Sequence, residues 1–381
     1  MIDNNLIKMR REFHKSPELG FKEYNTNKMI RKYLENIPVN YVDNVAGTGI
    51  IVTLGSGKPH IAFRADMDAL PIYEENDFDY KSQNVGVMHA CGHDCHIAVL
   101  IDTIIKVKKL YDKGKLKGQV SFIFQPCEET KNDDNLSGGQ IISKIDCLDS
   151  VDNFYCAHVE STLETGKVFI KEGALTAAID RFDVTVGGKS GHGAYPHNTI
   201  DPIWLSVNAI QMINTLESRV VDTSFPSVIS ICTFNSGKIW NAIPETATFS
   251  GTIRTFNENE RSKIYSKFKN CLNSITEFGG NYDLKYLKGN PSVINDSKEC
   301  EIVRNAAKKV LGEEYISSIN IQMGGDDFSY YAIKKPSCYF YVGAKKDEIS
   351  RQHHSGNFDI DESVLSKMVD IYVEIVKEKL K

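Results

Sequence analysis

The sequence has no apolar run long enough to span a bilayer. Its first residues, Met1-Ile2-Asp3-Asn4-Asn5, lack the basic stretch followed by an apolar one that marks a secretory leader. Positive charge is not in excess either: 45 Lys and Arg against 50 Asp and Glu leave a formal net charge of −5 at pH 7. That balance offers no broad basic field to a phosphate backbone or an anionic lipid surface, so neither nucleic acid nor a membrane is an expected partner. A cytoplasmic location is expected. Nine cysteines, an odd number scattered singly, exclude the dense paired framework of a small secreted domain and predict mostly reduced, buried thiols. Internal repeats and low-complexity tracts are also missing. What is present is globular: 381 residues, 41% hydrophobic and 25% charged, enough for a large core divided between two domains.

The first half alternates strand-like runs at 49–54, 60–65, 119–125 and 153–157 with helical stretches such as 97–110, where Ile97, Leu100, Ile101, Ile104 and Ile105 recur at helical spacing. This predicts a layered α/β domain. From about residue 180 the order changes to strand 181–186, helix 201–219, strands 227–234 and 245–256, helix 258–278 and strand 281–287. That βαββαβ order predicts an inserted α+β unit with one sheet covered on one face by two helices. After Gly289-Asn290-Pro291 the α/β pattern resumes with a helix at 297–311 and a strand at 337–342. The expected division is therefore a discontinuous catalytic domain, 1–178 with 290–381, and an inserted domain, 179–289.

Chemistry concentrates in Met88-His89-Ala90-Cys91-Gly92-His93-Asp94-Cys95-His96. Cys91 and His93 flank a glycine, so a turn there can aim a thiolate and an imidazole at one cation, a donor set suited to zinc and similar borderline metals. The plainer reading is a helix start capped by Asp94 with incidental histidines. In Gln125-Pro126-Cys127-Glu128-Glu129 two carboxylates end a strand too apolar to be an exposed edge. Loops at the carboxyl ends of such strands build sites in α/β proteins, although solvated surface acids are the ordinary reading of an acidic pair. Arg64-Ala65-Asp66-Met67-Asp68 ends another strand with two acids on one side, and His158 and the pair His353-His354 lie farther along. Each is weak by itself.

Together these segments, with Pro17-Glu18-Leu19-Gly20, Gly191-His192, Tyr195-Pro196-His197, Asn241-Ala242-Ile243-Pro244 and Gly251-Thr252-Ile253-Arg254-Thr255, resemble the M20 metallopeptidases. The resemblance runs over essentially the whole chain. It is specifically to the amidohydrolase branch of aminoacylases, hippurate and auxin-conjugate hydrolases and N-acetyldiaminopimelate deacetylases.

The resemblance implies two divalent ions per subunit, zinc, manganese, cobalt or nickel, held by Cys91 as the bridge with His93, Glu129, His158 and a C-terminal histidine. The segment His354-Ser355-Gly356-Asn357-Phe358 favours His354 over His353, though Gly356 replaces the usual proline. Glu128 is implied as general base and Asp68 as the residue that orients a ligand. Asp66 stands where co-catalytic relatives place a metal-binding histidine, a loss for which His93 is expected to compensate. Another departure is the inserted stretch 130–136 directly after Glu129, a longer acidic loop. The inserted domain matches a lid that also mediates homodimer formation in many members. On it, His192 resembles a histidine that reaches the partner's site, and Asn241 and Arg254 match residues that hold the substrate's carbonyl and carboxylate, a task that suits a planar guanidinium.

The implied activity is hydrolysis of the amide bond of a small N-acyl amino acid. A dipeptidase or carboxypeptidase with the same residues is the alternative within enzymes. A non-catalytic metal-binding protein is the alternative outside them, and the carboxylate of Glu128 beside a ligand counts against it.

Overall fold

A computed structural model describes residues 4–381. Met1, Ile2 and Asp3, part of the segment read for a leader, lie outside the described residues. The chain forms two compact units: one comprises the chain through Gly173 with Ile294–Asn320 and Asp327–Lys381, the other Ala174–Val293 with Ile321–Asp326.

The first unit is built on an eight-stranded mixed sheet. Its strands lie in the order Asn40–Val45, Gly49–Ser56, Gly118–Gln125, His60–Asp66, Asn153–Glu160, Ser337–Gly343, Val168–Phe169, Ile316–Ser317. The four central strands, from Gly118–Gln125 to Ser337–Gly343, run parallel. Parallel strands need cover on both faces, which is why His60–Asp66 and Ser337–Gly343 are buried at every position rather than at alternate ones. Helix His93–Asp112 is buried nearly all round through its first half, from His93 to Ile101. It packs in one core with Phe63, Phe122 and Tyr155 of the sheet, Phe13 of helix Asn4–His14, and Met368 and Tyr372 of helix Val364–Lys379. The register Asp66↔Gln125 and Val342↔Val159 brings the carboxyl ends of these strands into line.

The second unit carries an antiparallel sheet in the order Ser227–Ser236, Thr246–Thr255, Ala178–Gly187, Asn281–Lys288. Strand Ala178–Gly187 alternates, with Ala178, Asp180, Phe182, Val184 and Val186 buried. Phe182, Val184 and Val186 of that row meet Leu205, Ala209 and Ile213 of helix Pro202–Asn214 and Ile264, Phe268 and Leu272 of helix Glu258–Asn273. Both helices are capped from the side chain before them: Asp201 accepts from the amides of Ile203 and Trp204, and Asn257 from those of Asn259 and Glu260. Two long predicted helices are broken. The first stops at Asn214 and restarts as Leu216–Arg219, and the second ends at Asn273, followed by a 3₁₀ turn, Thr276–Phe278, and Gly279 in the left-handed region.

All nine cysteines are free, and Cys95, Cys127, Cys156, Cys271, Cys300 and Cys338 are buried. Among the described residues, no helix is long and apolar enough to cross a membrane.

Candidate metal centre

The carboxyl ends of the central parallel strands deliver one cluster. Strand His60–Asp66 leads to Asp66 and Asp68, Gly118–Gln125 to Glu128 and Glu129, and Asn153–Glu160 carries His158. Cys91 and His93 arrive from the turn that opens helix His93–Asp112. Gly92 between them has φ +84°, and a Cβ there would stand 2.4 Å from Val159 Cγ2. Only glycine fits both the left-handed backbone and that approach. The turn before Glu128 is strained as well: Cys127 has φ 50°, and its amide donates to Glu23 Oε1 at 2.9 Å.

Ligand atoms of Cys91, His93 and Glu129 lie within 4.8 Å of one another, and Cys91 Sγ is 3.6 Å from His158 Nε2. The hydrogen bonds decide which nitrogen each histidine presents. His93 Nδ1 donates to the Asp68 carbonyl at 2.9 Å and His158 Nδ1 to the Val159 carbonyl at 2.6 Å, which leaves the Nε2 lone pair of each aimed inward. Asp68 does more than hold His93, because its Oδ2 also accepts from the Glu129 amide at 3.0 Å. His93 Nε2 is buried without a hydrogen-bond partner, 3.9 Å from Glu129 Oε1. An orphaned acceptor of this kind is costly unless something positive completes it, so the donor set fits a divalent cation.

The electrostatics agree. Burial opposes charge on His93, yet Asp66, Asp68 and Glu129 push it up to about 10. Burial raises the Cys91 thiol well above its ordinary value, and Glu129, Glu128 and Asp66 add to the rise. Both shifts report a pocket whose field favours positive charge. His158, by contrast, is held neutral by burial and by neighbouring His96 and His353, the state a metal ligand requires.

His96 joins Asp66, His93 and His158 in a second compact group, although the sequence reading gave it no role. Its Nδ1 donates to Asp66 Oδ1 at 2.6 Å and its Nε2 accepts from the Val159 amide at 3.1 Å, so neither nitrogen is left for a metal. Asp66 is likewise engaged: Oδ2 accepts from Arg64 Nη1 at 2.5 Å. It serves as the anchor of His96 and Arg64. Arg64 also reaches Asp327, whose Oδ1 accepts from Arg64 Nη2 and Gln125 Nε2 and whose Oδ2 accepts from the Gly139 amide, all at 2.7 Å. Asp327 therefore ties together both ends of the loop that carries Glu128 and Glu129. It went unread because the acidic pair Asp326-Asp327 follows no strand-like run.

Both C-terminal histidines reach the cluster. His354 Nε2 lies 3.1 Å from Glu129 Oε1, with its backbone at φ 62° and its amide donating to the Ala90 carbonyl. His353 Nδ1 lies 3.5 Å from Cys91 Sγ. In the second unit, strand Gly191–His192 pairs with Ala242–Ile243, which sets His192 opposite Ala242 and beside Asn241. Arg254 stands on strand Thr246–Thr255 with Nη1 buried and without a hydrogen-bond partner.

The model of Peptidase family M20/M25/M40 matches residues 62–378. The chain belongs to this family. Among M20 relatives it is similar to "Thermostable carboxypeptidase 1" of Saccharolobus solfataricus, 34% identical over 371 residues that cover 96% of this chain and 92% of that protein. It is equally similar to "N-acetylcysteine deacetylase" of Bacillus subtilis, 34% identical over 374 residues, 97% of this chain and 95% of that one. The solved structure of the YXEP protein of Bacillus subtilis, described as a dinuclear metal binding peptidase from M20 family, superposes with a TM-score of 0.82 at 31% identity and covers 98% of this chain and 97% of its own. This M20 chain is a metal-dependent amidohydrolase.

Proposed function

We propose that the enzyme hydrolyses the amide bond of small N-acyl amino acids, N-acetyl ones first among them. The observation that carries the reading is the pair at the end of strand Gly118–Gln125. Glu129 turns to His93 and His354, while Glu128 lies close enough to Cys91 to raise its thiol. One carboxylate holds metal and its neighbour is placed to move protons.

Cys91, His93, Glu129, His158 and His354 would hold the two ions. When bound, the ions lower the pKa of a water and polarise the acyl carbonyl. Glu128 takes the proton from the attacking water and returns it to the leaving amine. Asp68 fixes the direction of the His93 lone pair and the position of Glu129. His192 donates to the developing oxyanion, Asn241 to the substrate carbonyl, and Arg254 receives the α-carboxylate. The unpartnered Nη1 of Arg254 supports that last assignment. The same reading makes the second unit a lid through which a cytoplasmic homodimer forms, with His192 supplied across the dimer.

A carboxypeptidase or dipeptidase activity is the second reading, favoured by the equal similarity to a protein named as a carboxypeptidase. A panel of N-acyl amino acids and dipeptides, assayed with protein reconstituted separately with zinc, manganese, cobalt and nickel, separates the two. Deacylation is expected to dominate in kcat/KM. Faster turnover of unblocked peptides with every metal would reverse the order.

A further inference from the structure

His353 is a histidine that the ligand set does not use, yet it sits against the bridging cysteine. Its Nε2 lies 3.3 Å from the backbone amide of Ser161, a group that can only donate. The Ser161 amide favours the tautomer in which Nε2 presents its lone pair and the ring proton resides on Nδ1. Nδ1 faces Cys91 Sγ at 3.5 Å, a normal N–H···S separation. The ring is fixed from the side by Phe358, 4.9 Å between centroids. Glu160 Oε1, 3.4 Å from Nε2, already accepts from the Thr162 amide and hydroxyl. His354, in contrast, reaches the carboxylate of Glu129.

We propose that His353 is a positioning residue that donates an Nδ1–H hydrogen bond to the sulfur of Cys91, while its neighbour His354 is the metal ligand. The inference rests on the metal-site reading above. A sulfur shared by two cations is a directional donor whose lone pairs must point at both. A fixed N–H on a remaining lobe sets the rotamer of Cys91 and withdraws charge from the sulfur. Adjacent histidines thus divide the work, one toward metal and one toward the atom that joins the metals.

The protein reconstituted with cobalt(II) provides the test, because a thiolate on cobalt gives a sulfur-to-metal charge-transfer band whose energy follows the charge on sulfur. His353→Phe keeps the ring and removes the donor. It is expected to retain two cobalt ions per subunit, with the band moved to lower energy as the sulfur lone pair loses its stabilising proton. His353→Gln restores an N–H and is expected to return the band toward its original position. His354→Phe is expected to lose one cobalt ion. Loss of a cobalt ion from His353→Phe would overturn the proposal by making His353 a ligand, and an unmoved band with both ions retained would reduce His353 to packing. If the unmodified protein shows no sulfur-to-cobalt band at all, the metal-site reading fails and the proposal with it.

Discussion

At the scale of single residues, the site depends on a few side chains whose protonation and direction are fixed by neighbours. Glu128→Gln keeps the size of the side chain and removes the base. It should lower kcat by about two to four orders of magnitude with metal content unchanged, the usual contribution of a positioned acid or base. Parallel metal analysis and steady-state kinetics check this, and near-normal turnover in the loaded variant would remove Glu128 from the mechanism. Glu23 gives a pH prediction. Burial, with Asp68 adding, raises its carboxyl from 4.5 to about 7, against the opposing hydrogen bonds from Thr48 and the Cys127 amide. A folded-state value above the unfolded one means that the contribution of Glu23 to stability is whole below about pH 4.5 and is lost as pH rises toward 7. Glu23→Gln should therefore gain stability relative to the unmodified protein between pH 5 and 8. Denaturant melts across that range would expose a constant difference if the assignment is wrong. Cys91, His93, Glu128 and Glu129 stand out in the sequence because they crowd into two short segments. Glu23 and Asp327 do not, because they reach the Glu128 loop from 104 and 188 positions away from their loop partners and carry no local signal.

At the scale of elements, apolar periodicity located the four central strands and the helix behind them. The expectation for 153–157 fell short of the observed Asn153–Glu160, since polar His158 and Glu160 continue the strand beyond its apolar run. Helix His93–Asp112 likewise starts four residues before its expected onset because its first turn is made of buried polar residues, which an apolar pattern does not reveal. Helix Val364–Lys379 was open to the same reading, with Leu365, Met368, Val369, Tyr372 and Val376 buried at helical spacing, although the expectation above omits it. The turn at Gly92 is where element geometry meets chemistry. Gly92→Ala must either clash with Val159 or abandon φ +84°. It should cost about 1–3 kcal/mol of stability and lower metal occupancy, because Cys91 and His93 move together. A variant of unchanged stability and full metal content would show that the turn tolerates a side chain.

At the scale of the whole molecule, the residues divide between two units, with the proposed ligands and base in the first and His192, Asn241 and Arg254 in the second. The strands and helices of the second unit were legible from the change in element order, whereas a role for His192, Asn241 or Arg254 leaves no periodic trace in sequence. If His192 acts across a homodimer, mixing His192→Ala with Glu128→Gln subunits should restore activity to two inactive proteins, since each heterodimer contains one intact pair. Verified heterodimers that stay inactive would confine His192 to its own subunit or remove it from catalysis. The most direct test of the central claim is a titration of metal-free protein with a divalent ion while hydrolysis of an N-acetyl amino acid is followed. The account predicts no turnover without metal and a rate that reaches its plateau only near the second equivalent per subunit. Full activity in the metal-free protein, or a fully loaded protein that hydrolyses no N-acyl amino acid, would contradict it.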